Sequence, residues 1–260
     1  MKKIYKALDI VYNKITKEDY DTVWLVTGDE GTGKSNLLLA IVEYWYNKLN
    51  GECLESDIKH VSLDRLNFVT DLKDAKRYEL STDDEAGDIS SKRAMSEFNV
   101  LLTQAYQVIR GDNLFTILVL PSPFDIDGFF VKRRARGLIN INNRGKCKFY
   151  SKTRLRNMIA LNQSRYIKKV EVVKATFCDV FPKYKGILLK EYKKKKAEKM
   201  QEVRNQLYEK VMELDTGVSN NSNASKLSRY PDTISTKIIA EIEGVSERTI
   251  QRWKRKATTT

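Results

Sequence analysis

The sequence predicts an α/β protein built on a mainly parallel sheet, followed by a small all-α module. Three observations lead there. From residue 4 to residue 120, short apolar β-rich runs alternate with helical patterns, as in a sheet covered on both faces. A Gly-rich turn at 28–33 joins the first such run to a helix. After a Lys- and Glu-rich helical stretch and a polar spacer, a compact apolar pattern returns at 233–257.

Residues 4–20 read as a short amphipathic lead-in. Val23-Trp24-Leu25-Val26 follows as a buried strand. Residues 34–49, KSNLLLAIVEYWYNKL, read as a helix apolar on most sides and so packed on a sheet, ended by Asn50-Gly51. Residues 61–78 carry no clear period. A second candidate strand ends near Thr82, and residues 90–110 read as a helix stopped by Gly111-Asp112-Asn113. Phe115–Leu120 is the clearest strand, cut off by Pro121. Gly137–Asn142 and Lys146–Ser151 read as two short strands around the turn Asn142-Asn143-Arg144-Gly145. Residues 187–214 form a long helix. Residues 215–228, DTGVSNNSNASKLS, have the chemistry of a linker, with little to bury.

The 260 residues suffice for one domain of ordinary size and a small appended module. Lys and Arg number 47 against 34 Asp and Glu, a formal charge of +13 that favours a polyanion, either nucleic acid or an anionic membrane surface. Cys53, Cys147 and Cys178 are far apart and odd in number, and His60 is the only histidine. Neither a zinc site nor a His-based triad is therefore expected. The cysteine usage suits a reducing, cytoplasmic setting. The opening MKKIYK lacks the apolar stretch of a secretion signal, and no apolar run approaches membrane-spanning length. No membrane segment of its own is expected.

Gly28-Asp29-Glu30-Gly31-Thr32-Gly33-Lys34-Ser35 fits the phosphate-loop pattern G-x-x-x-x-G-K-[ST] completely, after a strand and before a helix. Glycines let the backbone curl so that successive N–H groups aim at phosphate oxygens, and the helix N-terminus adds positive potential. Gly28, Glu30, Gly31, Thr32, Gly33, Lys34, Ser35 and Asn36 are the candidate ATP-binding residues. Lys34 would reach the β- and γ-phosphates, and the Ser35 hydroxyl would ligate Mg²⁺. The bland alternative is a chance Gly-rich turn.

Hydrolysis also needs a carboxylate for the metal and a base for water. Asp83-Asp84-Glu85-Ala86 supplies both: Asp84 for Mg²⁺ and Glu85 to orient and deprotonate the attacking water. The preceding Tyr78-Glu79-Leu80-Ser81-Thr82 is less apolar than a buried strand usually is, so a solvated acidic turn stays open. Charge on the γ-phosphate calls for a cation. Arg134 is placed among the catalytic residues as an arginine finger towards a neighbouring subunit, with Arg133, Arg136 and Arg110 as rivals; contact with DNA or solvent is the alternative for each. Ser122 either senses the γ-phosphate or marks a turn between Pro121 and Pro123.

Residues 236–255, TKIIAEIEGVSERTIQRWKR, read as a helix-turn-helix. Ala240 is small where two helices approach, and Gly244 sits at a turn needing positive φ. Ile239, Val245, Ile250 and Trp253 fall at core positions; Ser235 and Ser246 are cap candidates. The second helix then exposes Glu247, Arg248, Gln251, Arg252 and Arg255. Arg suits guanine, Gln suits adenine, and Lys254 suits phosphate. The alternative is a helical hairpin for protein contacts. Residues 132–174 hold fourteen Lys or Arg against one acid, Glu171, the bias of a DNA path. Lys193–Lys196 either joins it or is a solvated helix face.

In sequence order come strand–GxxxxGKS–helix, Asp83-Asp84-Glu85-Ala86-Gly87, a helix with Asn99 and Arg110, Leu120-Pro121-Ser122 closing a strand, and an arginine cluster. This arrangement resembles the FtsK–HerA-like ATPases, and among them the small archaeal and phage-type branch similar to zonular occludens toxin, over about residues 20–210. The resemblance implies a RecA-like (ASCE) P-loop core that assembles into rings, often hexamers, and moves DNA. It gives Lys34, Ser35, Asp84 and Glu85 the nucleotide roles. The resulting division is 1–186 as ATPase domain, 187–214 as basic helical extension, 215–228 as linker and 229–260 as DNA-binding module. A DNA-stimulated ATPase of a mobile element or virus, working as an oligomeric double-stranded-DNA translocase or packaging motor, is the expected function. An AAA+-like switch in replication initiation, helicase loading or transposition is the second reading. A non-enzymatic regulator is disfavoured by Asp84-Glu85.

Overall fold

Every residue of β1 (Thr22–Gly28) is buried, with Trp24 and Val26 packed on one side and Val23 and Leu25 on the other. The same alternation recurs in β4 (Phe115–Leu120), where Phe115, Ile117 and Val119 join the first cluster and Leu118 and Leu120 the second. A sheet apolar on both faces has to be covered on both, and it is. The computed structural model describes residues 1–84, 92–215, 235–242 and 245–257. It divides into two units, Met1–Met200 and Gln201–Thr260.

The first unit is an α/β layer structure on one seven-stranded sheet. Its other strands are β2 (Val61–Ser62), β3 (Leu80–Asp84), β5 (Ala135–Asn143), β6 (Lys146–Ser151) and β7 (Phe177–Val180), in the spatial order β2-β3-β4-β1-β5-β6-β7. The pairs from β2 through β5 are parallel, and β5-β6 and β6-β7 are antiparallel. The expected α/β core with a mainly parallel sheet is thus present.

One face carries α1 (Lys2–Lys17) and α2 (Lys34–Asn50), together with the start of α7 (Leu189–Asp215). In α1 the buried residues Ile4, Leu8, Val11 and Ile15 make a single stripe at helical spacing. Trp45 of α2 is fully buried against Phe115, ring centroids 4.7 Å apart, and its indole N–H donates to the Tyr78 carbonyl at 3.1 Å. The other face carries α3 (Arg65–Asp74), α4 (Lys92–Val108), α5 (Gly128–Arg134) and α6 (Lys152–Asn162), through Phe68, Tyr106, Phe130 and Met158 among others.

Several local expectations change. The unreadable stretch 61–78 contains β2 and α3. The strand thought to end near Thr82 runs to Asp84 with all five residues buried, so Asp83 and Asp84 do not form a solvated turn. Its polar character is matched by polar partners. Thr82 Oγ1 donates to the His60 carbonyl at 3.2 Å, the Tyr46 hydroxyl donates to the Leu80 carbonyl at 3.0 Å, and Asp83 faces the buried Arg65 at 3.9 Å. The helix α6 and the edge strand β7 carry no clear period in the sequence. Among the described residues no helix is long and apolar enough to cross a membrane.

In the second unit, α7 continues to Asp215, and α8 (Thr236–Ile242) and α9 (Glu247–Ala257) pack together. Ile239, Ala240 and Ile250 are buried between them, with Val245 and Trp253 half-buried alongside. These are the apolar positions singled out in the sequence. The spacer from residue 216 onward and Gly244 lie outside the described residues.

Candidate functional site

The loop between β1 and α2 is built by three glycines in backbone conformations that side chains resist: Gly28 at φ +150°, Gly31 at +71° and Gly33 at +100°. Gly33 is also the N-cap of α2 and provides no side-chain cap, so the first N–H groups of the helix open towards the loop. Lys34, the first residue of α2, folds its ammonium back to donate to the carbonyls of Gly28 at 2.5 Å and Asp29 at 3.1 Å. The Thr32 hydroxyl donates to Asp29 O at 2.7 Å and closes the turn. The result is a ring of backbone with one cation held across it, at the C-terminal end of a parallel strand. Ligands of open α/β sheets bind at that end.

Residues 30–36 and Asp84 line one cleft of about 950 Å³. Asp84 is the last residue of β3, and β4 alone separates it from the loop's own strand. It is 3% exposed, and the Tyr192 hydroxyl donates to its Oδ2 at 2.6 Å. The far wall comes from the segment around Phe181–Lys183 and from α7. Lys34, Arg144, Lys183, Lys193 and Lys196 line the cleft together with Asp29, Glu30 and Asp84, so cations are in excess. Such a site favours a polyanionic ligand, and an oxygen pair like Ser35 and Asp84 suits a hard cation such as Mg²⁺.

Two contributors escaped the sequence reading. Arg144, seen there only as part of a hairpin turn, donates from Nε to the Gly31 carbonyl at 2.7 Å. The parallel pairing of β1 with β5 sets Gly28 opposite Ile141 and so carries the β5–β6 turn up to the loop. Tyr192 is the other. It lies 108 residues from Asp84, and no motif announces it.

The remaining predicted residues are distributed as follows. Glu85 lies outside the described residues, and of Asn99 and Arg110 the side chains do. Ser122 sits in a turn, its hydroxyl accepting from the Phe124 N–H at 3.3 Å and its own N–H donating to Asp125 at 2.9 Å, and it does not line the cleft. Arg134 is at the opposite end of the sheet. It precedes β5 and pairs with Asp21, just before β1, at 3.3 Å, and donates to the Tyr106 carbonyl at 3.2 Å. A seven-residue strand separates it from the loop by about 20 Å, so Arg134 reaches a phosphate at such a loop only on a neighbouring copy.

Arg133, Arg134, Arg136 and Arg156 line a second, polar pocket at that far end. The Lys152 ammonium beside them has its pKa lowered by burial and then by Arg136, Arg156 and Lys14. Asp19 and Asp21 line the same pocket, and Asp21 pairs with Arg134, so four arginines face two carboxylates there. Of the run Lys193–Lys196, Lys195 donates to the Val61 carbonyl at 2.6 Å and Lys196 to the Tyr192 hydroxyl at 3.3 Å, whereas Lys193 and Lys194 are exposed. It is therefore only half a solvated face.

In the helix pair, Ser246 caps α9: its hydroxyl accepts from the Thr249 N–H at 3.3 Å and pairs with the Thr249 hydroxyl at 2.9 Å. Ser235 accepts from the Ile238 N–H at 3.5 Å before α8. Arg248, Gln251 and Arg252 are exposed on α9, Lys254 is half-buried, and the Arg255 side chain lies outside the described ones. Positions 248, 251 and 252 share one helix face.

No protein-family profile matches this chain, and no curated protein sequence is significantly similar to it.

Proposed function

We propose that this chain is an ATP-hydrolysing, DNA-binding protein with a RecA-like (ASCE) P-loop core and a C-terminal helix-turn-helix. It works as an oligomeric double-stranded-DNA translocase or packaging-type motor. The observation that carries the reading is the pairing of Lys34, folded over a three-glycine loop at the head of α2, with the buried Asp84 in the same cation-rich cleft. A chance turn has no reason to face a buried carboxylate. The sheet order supports it further, since β4 lies between the loop strand and the carboxylate strand as in a RecA-like core.

In this reading the loop N–H groups and Lys34 hold the phosphates, Ser35 and Asp84 hold Mg²⁺, and Glu85 takes the proton from water. The magnesium ion would neutralise charge on the β- and γ-phosphates. Arg144, tethered to Gly31, adds a fixed cation at the mouth of the cleft. The transition state wants another from outside, and the arginine-lined far pole of a neighbouring copy is suited to supply it. That pole and the exposed face of α9 are the two surfaces that fit DNA, the first through phosphates and the second through base edges.

The test is steady-state ATP hydrolysis with and without double-stranded DNA, with Lys34→Ala as control. Stimulation by DNA of any sequence supports a motor. Slow turnover that ignores DNA, or responds to one site only, favours the AAA+-like switch. Two variants refine the assignment. Glu85→Gln is expected to bind ATP and fail to hydrolyse it, so that ATP copurifies or is retained on a filter; wild-type turnover in this variant would remove Glu85 as the base. Deleting residues 229–260 is expected to leave basal hydrolysis intact and to weaken site-specific DNA binding at least tenfold in a mobility-shift titration.

A further inference from the structure

Helix α7 is fastened to the first unit by one face. Tyr192, Lys195 and Lys199 stand at helical spacing and reach Asp84, the Val61 carbonyl and Asp64 at 2.6, 2.6 and 2.9 Å. The first of these contacts ends inside the candidate nucleotide cleft. The phenol of Tyr192 is 5% exposed, donates to Asp84 Oδ2, lines the same cleft as Ser35, and accepts from Lys196 Nζ at 3.3 Å. Ser35 and Asp84 are the two residues that would hold the metal. The phenol oxygen therefore occupies the carboxylate oxygen that the metal would use, in the cleft that Ser35 also lines.

We propose that Tyr192 is a plug in the metal position, which Mg²⁺–nucleotide displaces, freeing Lys196 to take a phosphate oxygen and loosening the first turns of α7. The inference rests on the nucleotide reading given above. Its physical basis is competition for space and for lone pairs. Mg²⁺ binds oxygens at about 2.1 Å in a near-octahedral shell, and no such shell forms on Asp84 Oδ2 while a phenol sits 2.6 Å from it. In the empty cleft the phenol has a purpose of its own. Asp84 is buried at a strand end, and a buried carboxylate without a donor is costly; a charge-assisted bond from Tyr192 meets that need until the cation arrives. Lys196 changes partner in the same step, from a phenol oxygen to an anionic oxygen. Loss of the Tyr192 contact removes the anchor of α7 nearest the cleft and leaves those at Lys195 and Lys199.

The experiment titrates Mg²⁺ against the full-length protein in the presence of a fluorescent, non-hydrolysable ATP analogue, for wild type and Tyr192→Phe. Hydrogen exchange of residues 188–199 in the wild type is followed in parallel. The phenylalanine keeps the packing and deletes the hydrogen bonds. A plug predicts a half-saturating Mg²⁺ concentration about tenfold lower in Tyr192→Phe, the equivalent of one hydrogen bond to a charged group, and faster exchange at 188–199 once Mg²⁺ and analogue are both present. An equal or higher half-saturating Mg²⁺ concentration in the variant, or exchange at 188–199 that slows on binding, would show Tyr192 to be an orienting partner of Asp84 and overturn the plug. That result leaves the nucleotide reading standing, because the wild type still binds. Absence of analogue binding by wild type at millimolar concentration overturns both. Should Tyr192→Phe fold poorly, the wild-type exchange measurement decides alone.

Discussion

Lys34→Ala is expected to lower ATP hydrolysis by about 10³-fold, the scale of losing a preorganised charge that stabilises the transition state. The ammonium now bridges two loop carbonyls, Gly28 O and Asp29 O. Carbonyl oxygens are weak partners beside phosphate oxygens, so an incoming triphosphate would draw the cation off them. The side chain is only partly buried, and it packs no core. Alanine is a good helix former and sits here at the first residue of α2. The variant should therefore melt within a few degrees of the wild type, which separates lost chemistry from lost fold. Steady-state phosphate release and a thermal melt on the same preparation check both halves. Hydrolysis at the wild-type rate would mean that the loop does not hold the reacting phosphates.

How much of this was readable in advance depends on the range of the interactions. The Gly-rich loop is local: strand, turn and helix are contiguous from Thr22 to Asn50, and the pattern of glycines and Lys34 carries its own geometry. The alternation in Val23–Val26 and Phe115–Leu120 likewise reports the two buried faces directly. The polar strand β3 was harder. Ser81, Thr82 and Asp83 resemble a surface segment because their partners, His60 and Arg65 among them, lie far away in sequence. β7 was missed for a similar reason. As an edge strand its residues alternate between half-buried and exposed, and Phe177 and Phe181 alone give little period. Tyr192 was the least accessible of all. It looks like any aromatic on a Lys-rich helix, and its role depends on where α7 comes to rest beside β3. Arg144 falls between these cases, since pairing of β5 with β1 places it once the register is known.

Gly28→Ala is expected to cost about 4 kcal/mol of stability, combining backbone strain with overpacking, and to abolish nucleotide binding at the same time. Gly28 closes β1 and opens the loop, and two independent constraints meet there. Its φ of +150° is one that side-chain-bearing residues rarely adopt. A Cβ added at this position would also run into the carbonyl oxygen of Ile141, backbone of the adjacent strand β5, and come within 3.1 Å of the Thr32 hydroxyl. A flexible side chain could swing aside; a ladder carbonyl in the middle of the sheet cannot, without disturbing the β1–β5 pairing. Any relief therefore shifts the strand end from which the loop hangs and turns away the Gly28 carbonyl that Lys34 uses. Gly111 supplies the comparison. It has no positive φ, and a Cβ there meets nothing within 4 Å. Gly111→Ala should be neutral or slightly stabilising through the unfolded chain. Denaturant unfolding of the three proteins, with binding of a fluorescent ATP analogue measured beside it, distinguishes the outcomes. If Gly28→Ala unfolds at the same denaturant concentration as Gly111→Ala, the strand end can yield, and the close approach of Ile141 does not constrain the loop. If it unfolds early and the analogue no longer binds, one glycine is a condition of both the sheet and the site, because the same backbone turn serves both.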